Sequence, residues 1–492
     1  MSLCRSASKS CTILRAAGCG SSFFIKAELY RFGGKNMEKE PVCRGECLFG
    51  KCPHKRCIKF AQRNAEAKDL RAEMEILTEG IMPVLKTGRH GFGIAVDIGT
   101  TTVVVYLYRL DEAKCVCVKS RINAQASLGL DVISRIKFCA DHEDGLQKMN
   151  RAIVRELDSL IGEAAEETGI KTSDVSECVI TGNTTMLHLL AGLSPVSMGT
   201  LPFEPASKFG ISISAKEIGL DLPGADCYLT PCMSAFVGGD ITSALLATGF
   251  VHSDDICLLM DIGTNGEVAI GNSDFILSTS TAAGPAFEGA QISCGMAGVK
   301  GAVNSVDVLQ GKLQVHVIGG GAPQGLCGSG LLDAVALMCN AGVIDETGRI
   351  AEETKSRYII EKEGEPALLI AENVFITQKD IRELQTAKAA VAAGVLSLVK
   401  EADLEVGDIK RVYLAGGFGN YMNQQSAMRI GLLSKDFREI ISVGNAAGAG
   451  AGMALFDDEC EKDMKHICSL GKHVELGSNP YFMEKYVECM YF

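Results

Sequence analysis

Apolar positions along this chain fall into two patterns. Residues 92–108, FGIAVDIGTTTVVVYLY, and 256–270, ICLLMDIGTNGEVAI, are short aliphatic and β-branched runs, each interrupted by one polar turn. Near-continuous runs of this length suit strands buried on both faces rather than amphipathic helices. Both stretches therefore predict strand, turn, strand, with Ile94 and Val96 before the first turn and Val103–Leu107 after it. A further strand, Val412–Ala415, runs into Gly416-Gly417-Phe418-Gly419-Asn420. Helical spacing occurs elsewhere: Ile58, Ala61, Ala65, Leu70, Met74 and Leu77 predict one helix over 58–80, stopped by Gly80 and Pro83. Residues 234–249 and 442–455 predict two helices whose many Gly and Ala residues permit close backbone approach at a hinge.

The two polar turns carry the chemistry. Asp97-Ile98-Gly99-Thr100-Thr101-Thr102 and Asp261-Ile262-Gly263-Thr264-Asn265-Gly266-Glu267 share an Asp-Ile-Gly-Thr tetrad, 164 residues apart. Repetition at that spacing predicts two similar lobes. Glycine lets the backbone turn so that amides face a phosphate. The hydroxyls of Thr100, Thr101 and Thr102 can donate to phosphate oxygens, and an aspartate at the strand end can hold a hydrated Mg2+ or orient an attacking water. A single copy describes an ordinary hairpin. Two copies between buried strands predict a nucleotide gripped between lobes. The Gly416–Gly419 turn suits a flat adenine lying against backbone, and Asp240, acidic within an otherwise apolar helix, is a candidate second carboxylate for Mg2+ or water.

Composition narrows the class. The chain has 492 residues, 47% hydrophobic and 22% charged, with 54 Gly and no Trp, which suits a soluble α/β protein with tight backbone approaches. A net charge of −12 argues against nucleic acid as the main partner. No apolar run is long enough for a membrane span. Twenty cysteines without a secretory signal point to a reducing cytoplasm, where thiols serve as core filler, metal ligands or redox groups.

The N-terminal part divides in two. Residues 1–36 hold three cysteines and six Lys/Arg against one acid, Glu28. Gly33-Gly34-Lys35-Asn36-Met37 can be encoded with a purine-rich GGAGG shortly before an ATG, so translation is expected to start at Met37, which takes the net charge from −12 to −17. Cys43, Cys47, Cys52 and Cys57 follow in a C-x3-C-x4-C-x4-C array broken by Gly45, Gly50 and Pro53. Four thiols on such a loop can converge on one centre, and Arg44, Lys51, Lys55 and Arg56 offset thiolate charge. The spacing matches neither the C-x2-C pairs of structural zinc nor the plant-type 2Fe–2S array. A 4Fe–4S cluster is preferred over 2Fe–2S, with zinc as the alternative.

Four further strings narrow the family: TGNTTMLHLLAG (181–192), STAAGPAFEGAQISCGM (280–296), GLCGSGLLDAVALM (325–338) and ELGSNPYFMEKYVECMYF (475–492). With the two tetrads and the glycine turn, they resemble the actin-like (ASKHA) ATPases and, within them, the C-terminal ATPase region of the reductive activators of corrinoid proteins. The resemblance covers about 92–492. It implies a two-lobed α/β fold, with lobes at 91–250 and 251–492 behind a cysteine-rich head at 37–90. It also implies ATP and Mg2+ between Asp97–Thr102 and Asp261–Glu267, with adenosine at Gly416–Gly419. The activity implied is ATP-driven reduction of Co(II) to Co(I) in a corrinoid protein of a methyltransferase system, served by a low-potential electron donor in an anaerobic cytoplasm. A homodimer is the candidate assembly. The family's usual plant-type ferredoxin and middle domain are not expected here, only the compact cluster and one helix. A small-molecule kinase with a zinc knuckle, and a chaperone-like or regulatory ATPase, are the alternatives. Elsewhere, Cys294 and Cys327 read as small core residues, Ser329 as a cap for a helix at 331–338, and Asn183 and Thr184 as the opening of a helix over 185–191. His188 reads as a packed helix residue, and Asp380 with Glu383 as an exposed helix face.

Overall fold

A computed structural model describes residues 79–80, 89–309, 312–351 and 357–492. Both hydrophobic runs with polar turns form antiparallel hairpins. β1 (Phe92–Ile98), β2 (Thr102–Arg109) and β3 (Lys114–Ile122) lead through α1 (Val132–Asp141) and α2 (Gly145–Thr168) to β4 (Val175–Gly182). α3 (Thr184–Leu190), β5 (Ile211–Ser214) and β6 (Asp226–Leu229) complete a sheet of order β3-β2-β1-β4-β6-β5. Val103, Val105 and Leu107 of β2 pack under α2, with Ile153, Leu157 and Leu160 on its inner face. Full burial of each such side chain contributes about 2 kcal/mol.

α4 (Gly239–Ala247) links this lobe to the second, where β7 (Cys257–Ile262), β8 (Gly266–Gly271) and β9 (Ile276–Thr281) repeat the hairpin. Two small sheets follow: β10 (Ala302–Leu309), β11 (Lys312–Val317) and β12 (Gly325–Leu326), then β13 (Ile359–Lys362), β14 (Glu365–Ala371) and β15 (Val374–Thr377). Between and after them come α5 (Gly328–Ala341) and α6 (Gln378–Glu401). β16 (Arg411–Ala415), α7 (Gly416–Tyr421), α8 (Gln424–Ile430), β17 (Ile440–Gly444), α9 (Ala446–Ala454), α10 (Asp458–Leu470), β18 (Gly471–His473) and α11 (Pro480–Cys489) end the chain. The main sheet of this lobe runs β17-β16-β7-β8-β9-β18. Each main sheet thus has three antiparallel strands followed by two strands parallel to the first, so the sequence repeat is also a repeat of topology.

α4 and α9 lie in one apolar cluster that takes in Ala95 and Tyr106 from the first sheet and Leu259 and Ala269 from the second. A Cβ on Gly450 of α9 would stand 2.0 Å from the Ser243 carbonyl oxygen of α4, so only glycine allows this crossing. Both helices are shorter than the sequence predicts. Gly238 caps α4, which leaves 234–238 as a turn, while β17 runs to Gly444 at φ +67 and Asn445 caps α9, so residues 442–445 are not helical. Two other expectations change. Asp380 is fully buried, accepting from the Ser293 amide (2.8 Å) and the Thr377 amide (2.8 Å), because it closes a capping box rather than facing water. Ser329 is not a cap: α5 begins at Gly328, and the serine hydroxyl donates to the Asn304 carbonyl at 2.8 Å. His188 is buried as expected, and Asn183 caps α3 by accepting from the Met186 amide. Eight of the thirteen cysteines among the described residues are buried, as core filler would be. No helix among the described residues is long and apolar enough to cross a membrane.

Candidate active site

The two polar turns meet across a cleft between the lobes. The first joins Ile98 to Val103, and Gly99 closes it by donating its amide to the Thr102 carbonyl at 2.9 Å. The protein behind it supplies donors. Asn123 Nδ2 donates to the Gly99 carbonyl (2.8 Å), Arg135 Nη2 to the Thr100 carbonyl (2.6 Å) and Asn183 Nδ2 to Thr100 Oγ1 (3.0 Å). With its lone pair engaged, the Thr100 hydroxyl keeps its hydrogen for an acceptor in the cleft. Thr101 is exposed, while Thr102 already belongs to β2.

The second turn joins Ile262 to Gly266 and is closed by Gly263 donating to the Asn265 carbonyl at 2.9 Å. Thr264 faces Thr101 with their hydroxyl oxygens 3.4 Å apart, and this contact spans the cleft. Both hydroxyls donate to Glu288, Thr264 to Oε2 at 2.7 Å and Thr101 to Oε1 at 3.3 Å. Gly266 packs tightly: a Cβ there would stand 2.7 Å from Thr281 Oγ1 and 2.8 Å from Val391 Cγ2, so its glycine serves packing rather than a phosphate.

Gly416 has φ +77, and a Cβ on it would lie 2.5 Å from Asp261 Oδ1, which joins the third glycine motif to the second tetrad. Gly417 is exposed with open space above it, a surface that a flat base can cover. Phe418 corrects a sequence expectation. Its ring is buried and stacked on Phe287 at 4.4 Å, so it belongs to the core, and only its backbone is available to a nucleotide. Gly419 is buried in α7.

Asp97, Asp240, Asp261 and Glu267 stand half-buried around the same floor. Burial pushes Asp97 up to about 6, against the pull of the Asn445 amide, which donates to its Oδ2 at 2.8 Å. Asp240 and Asp261 are each pushed up to about 7, by burial first and then by a carboxylate neighbour, Asp261 for Asp240 and Asp97 for Asp261. Glu267 rises to about 8 through burial and the charges of Asp240 and Asp261, although Ser280 donates to it at 3.0 Å. Mutually repelling carboxylates of this kind suit a divalent cation, which would neutralise them. Among the described residues no three acidic, histidine or cysteine side chains are grouped to ligate a bare ion. Cys43, Cys47, Cys52 and Cys57 lie outside the described residues.

Glu288, Asn445 and Arg135 were not singled out by sequence. Glu288 lies in the 280–296 string as an acid among small and apolar residues, and Asn445 precedes a Gly/Ala helix as a cap-type residue. Arg135 gives no signal, since an arginine in a short helix ordinarily reads as surface.

Duplicated βββ units with matching phosphate-type turns across a cleft, joined by two crossing small-residue helices, define an actin-like (ASKHA) ATPase. Residues 255–492 match the C-terminal ASKHA domain of RACo, and residues 92–253 match the RACo middle region. The first lobe is therefore the family's middle region, which corrects the expectation that this region is missing. The chain is 36% identical over 413 residues to the corrinoid activation enzyme RamQ of Eubacterium limosum, covering 80% of this chain and 69% of that relative. It is 24% identical over 292 residues to a Co(II) methylated amine-specific corrinoid protein reductase of Methanosarcina barkeri, covering 54% of this chain and 51% of the reductase. A solved structure, the reductive activator for corrinoid, iron-sulfur protein, superposes with a TM-score of 0.75 at 37% identity, covering 83% of this chain and 67% of that one. The chain belongs to the family of reductive activators of corrinoid proteins.

Proposed function

We propose that the chain uses ATP to drive one electron onto the cobalt of a corrinoid protein, Co(II) becoming Co(I), so that methyl transfer can resume. The ATP step is carried by the contact of the two Asp-Ile-Gly-Thr turns, Thr101 to Thr264 at 3.4 Å with Glu288 beneath both, and the corrinoid partner by the 36% identity to the corrinoid activation enzyme RamQ. A nucleotide phosphate entering there competes with Glu288 for the same two hydroxyls, so binding and lobe contact are tied together. Asp97–Thr102 and Gly263–Asn265 hold the phosphates, and Gly416–Gly419 receives the adenosine on backbone. Asp97 and Asp261 hold the water shell of Mg2+ or aim the attacking water, and Asp240 and Glu267 complete the acidic floor. Hydrolysis consumes one water and yields ADP and phosphate; no phosphoryl group passes to a substrate.

ATP contributes by coupling. For a one-electron step each ~59 mV is a factor of ten, about 1.4 kcal/mol. A change in how the lobes grip the partner supplies such factors only through contacts that differ between its two states. Cys43, Cys47, Cys52 and Cys57 are the donor set for an iron–sulfur cluster, which would supply the electron. The head at 37–90, lobes at 91–250 and 251–492, a cytoplasmic setting, an external low-potential donor and a homodimer complete the proposal.

The test is anaerobic: protein, Ti(III), ATP and a Co(II) corrinoid protein are mixed and Co(I) absorbance is followed. Asp97→Ala is expected to abolish the signal, and Cys47→Ser to abolish it while sparing ATP binding. A colourless protein with one zinc, or ATP turnover stimulated only by a small metabolite, would overturn the proposal.

A further inference from the structure

Glu79 and Gly80 end the stretch that follows the four-cysteine array, and they lie directly against the hinge. The Asn445 amide donates to the Glu79 carbonyl at 2.7 Å, and Gly80 forms an antiparallel bridge with Gly444. The approach leaves no room for a side chain. A Cβ on Gly80 would stand 2.3 Å from the Asn445 carbonyl oxygen and 2.9 Å from Ala449 Cβ, and one on Gly444 would stand 2.0 Å from the Glu79 carbonyl oxygen.

Asn445 uses its remaining groups in two other directions. Its Oδ1 accepts from the Gly448 amide at 2.7 Å, capping α9, and its Nδ2 donates to Asp97 Oδ2 at 2.8 Å. One residue therefore ties three elements: the segment behind the cysteines through its backbone, the hinge helix through its oxygen and the first phosphate turn through its nitrogen. There is little slack around it, because a Cβ on Gly448 would stand 2.6 Å from the buried Tyr106 hydroxyl. Few side chains substitute. Aspartate sets a second carboxylate against Asp97, and serine caps the helix but is too short to reach it.

We propose that Asn445 is a positioning residue that couples docking of the Glu79–Gly80 segment to placement of the Asp97 carboxylate. The covalent path from the cysteine array thereby bears on ATP turnover. This rests on the reading that Asp97 serves the ATP site. By linkage, nucleotide at Asp97 must favour docking of Glu79–Gly80 by the factor that docking favours nucleotide.

The test is a double-mutant cycle on the full chain, with Gly80→Ala, Asn445→Ser and the pair, reading kcat and KM for ATP. Gly80→Ala is expected to lower kcat about fivefold with Asn445 present and less than about twofold in the Asn445→Ser background. Hydrogen exchange gives a readout other than activity: ATP should raise protection of the residue-445 amide in the wild type and not in Asn445→Ser. Thermal unfolding of each variant separates loss of fold from loss of coupling, and where Asn445→Ser unfolds, the exchange measurement on wild type and Gly80→Ala decides. Additive effects, wild-type turnover in Gly80→Ala, or protection unchanged by ATP would overturn the proposal. Wild-type turnover in Asp97→Asn would instead overturn the reading of the ATP site.

Discussion

Across the first hairpin from Asp97 stands Val104; across the second from Asp261 stands Glu267. The shift comes from turn length, since four residues separate Ile98 from Val103 and three separate Ile262 from Gly266. Directly opposed residues of an antiparallel pair share a face, and like charges there are unfavourable. The second turn accepts that cost, and the first avoids it. Around the first turn the protein places donors, Asn123, Arg135, Asn183 and Asn445; around the second it places the carboxylates Glu267 and Asp240, while Glu288 accepts from both turns. Identical tetrads thus acquire different work. On the proposed reading both turns meet the phosphates, and the added carboxylates behind the second weight it toward cation and water.

Four measurements break or sharpen that contrast. The largest effect belongs to Asp261→Asn, expected to cut kcat for ATP roughly 100- to 1000-fold with a small change in KM, as loss of a water-orienting carboxylate does. A pure KM effect would erase the distinction between the turns. Next is Arg135→Met, which leaves the Thr100 carbonyl and Gln125 Oε1 without their buried donor. Unfolding in urea should show a loss of about 3 kcal/mol, and KM for ATP should rise. A variant as stable as wild type with unchanged KM removes Arg135 from the support of the first turn.

Glu267→Gln tests the acidic floor through pH. Glu267 keeps its proton up to about 8 in the fold, against an ordinary value of 4.5. Between those values the folded chain binds more protons than the unfolded chain, so stability falls as pH rises through that window. The variant should match wild type near the lower value and exceed it above the upper one by about 1 kcal/mol or more, while ATP turnover falls. Equal stability at both ends would mean that the opposed pair carries no electrostatic cost. The smallest effect is expected from Glu288→Gln, which keeps an acceptor for Thr264 and Thr101 but removes the charge that a phosphate meets. KM for ATP should fall about threefold, less than 1 kcal/mol by affinity arithmetic, and a rise would make Glu288 a ligand of the nucleotide complex rather than its competitor.

Much of this was legible along the chain because it is local. Strands in runs such as Val103–Leu107 follow from side-chain type and spacing, and the glycine-bearing turns follow from backbone freedom that few residues allow. What escaped notice came from residues distant in sequence. Asn445 lies 348 positions from Asp97, and Arg135 lies 35 from Thr100. Nothing local distinguishes an arginine aimed at a carbonyl from one in water. Phe418 misled for the same reason: beside three glycines it reads as part of a nucleotide cradle, and only its stacking on Phe287 shows that its ring fills the core. Asp380 reads locally as a solvated helix face, and it is Ser293, 87 positions away, that donates to it and buries it.

The sequence by itself determined the duplicated hairpins, the glycine-bearing turns within them and the two small-residue helices, because each depends on neighbours within a few residues. The tertiary structure alone decided which tetrad is backed by donors and which by carboxylates, and that the Glu79–Gly80 backbone touches the residue that holds Asp97. Both depend on register and on contacts between lobes, where a turn one residue shorter sets a glutamate opposite an aspartate.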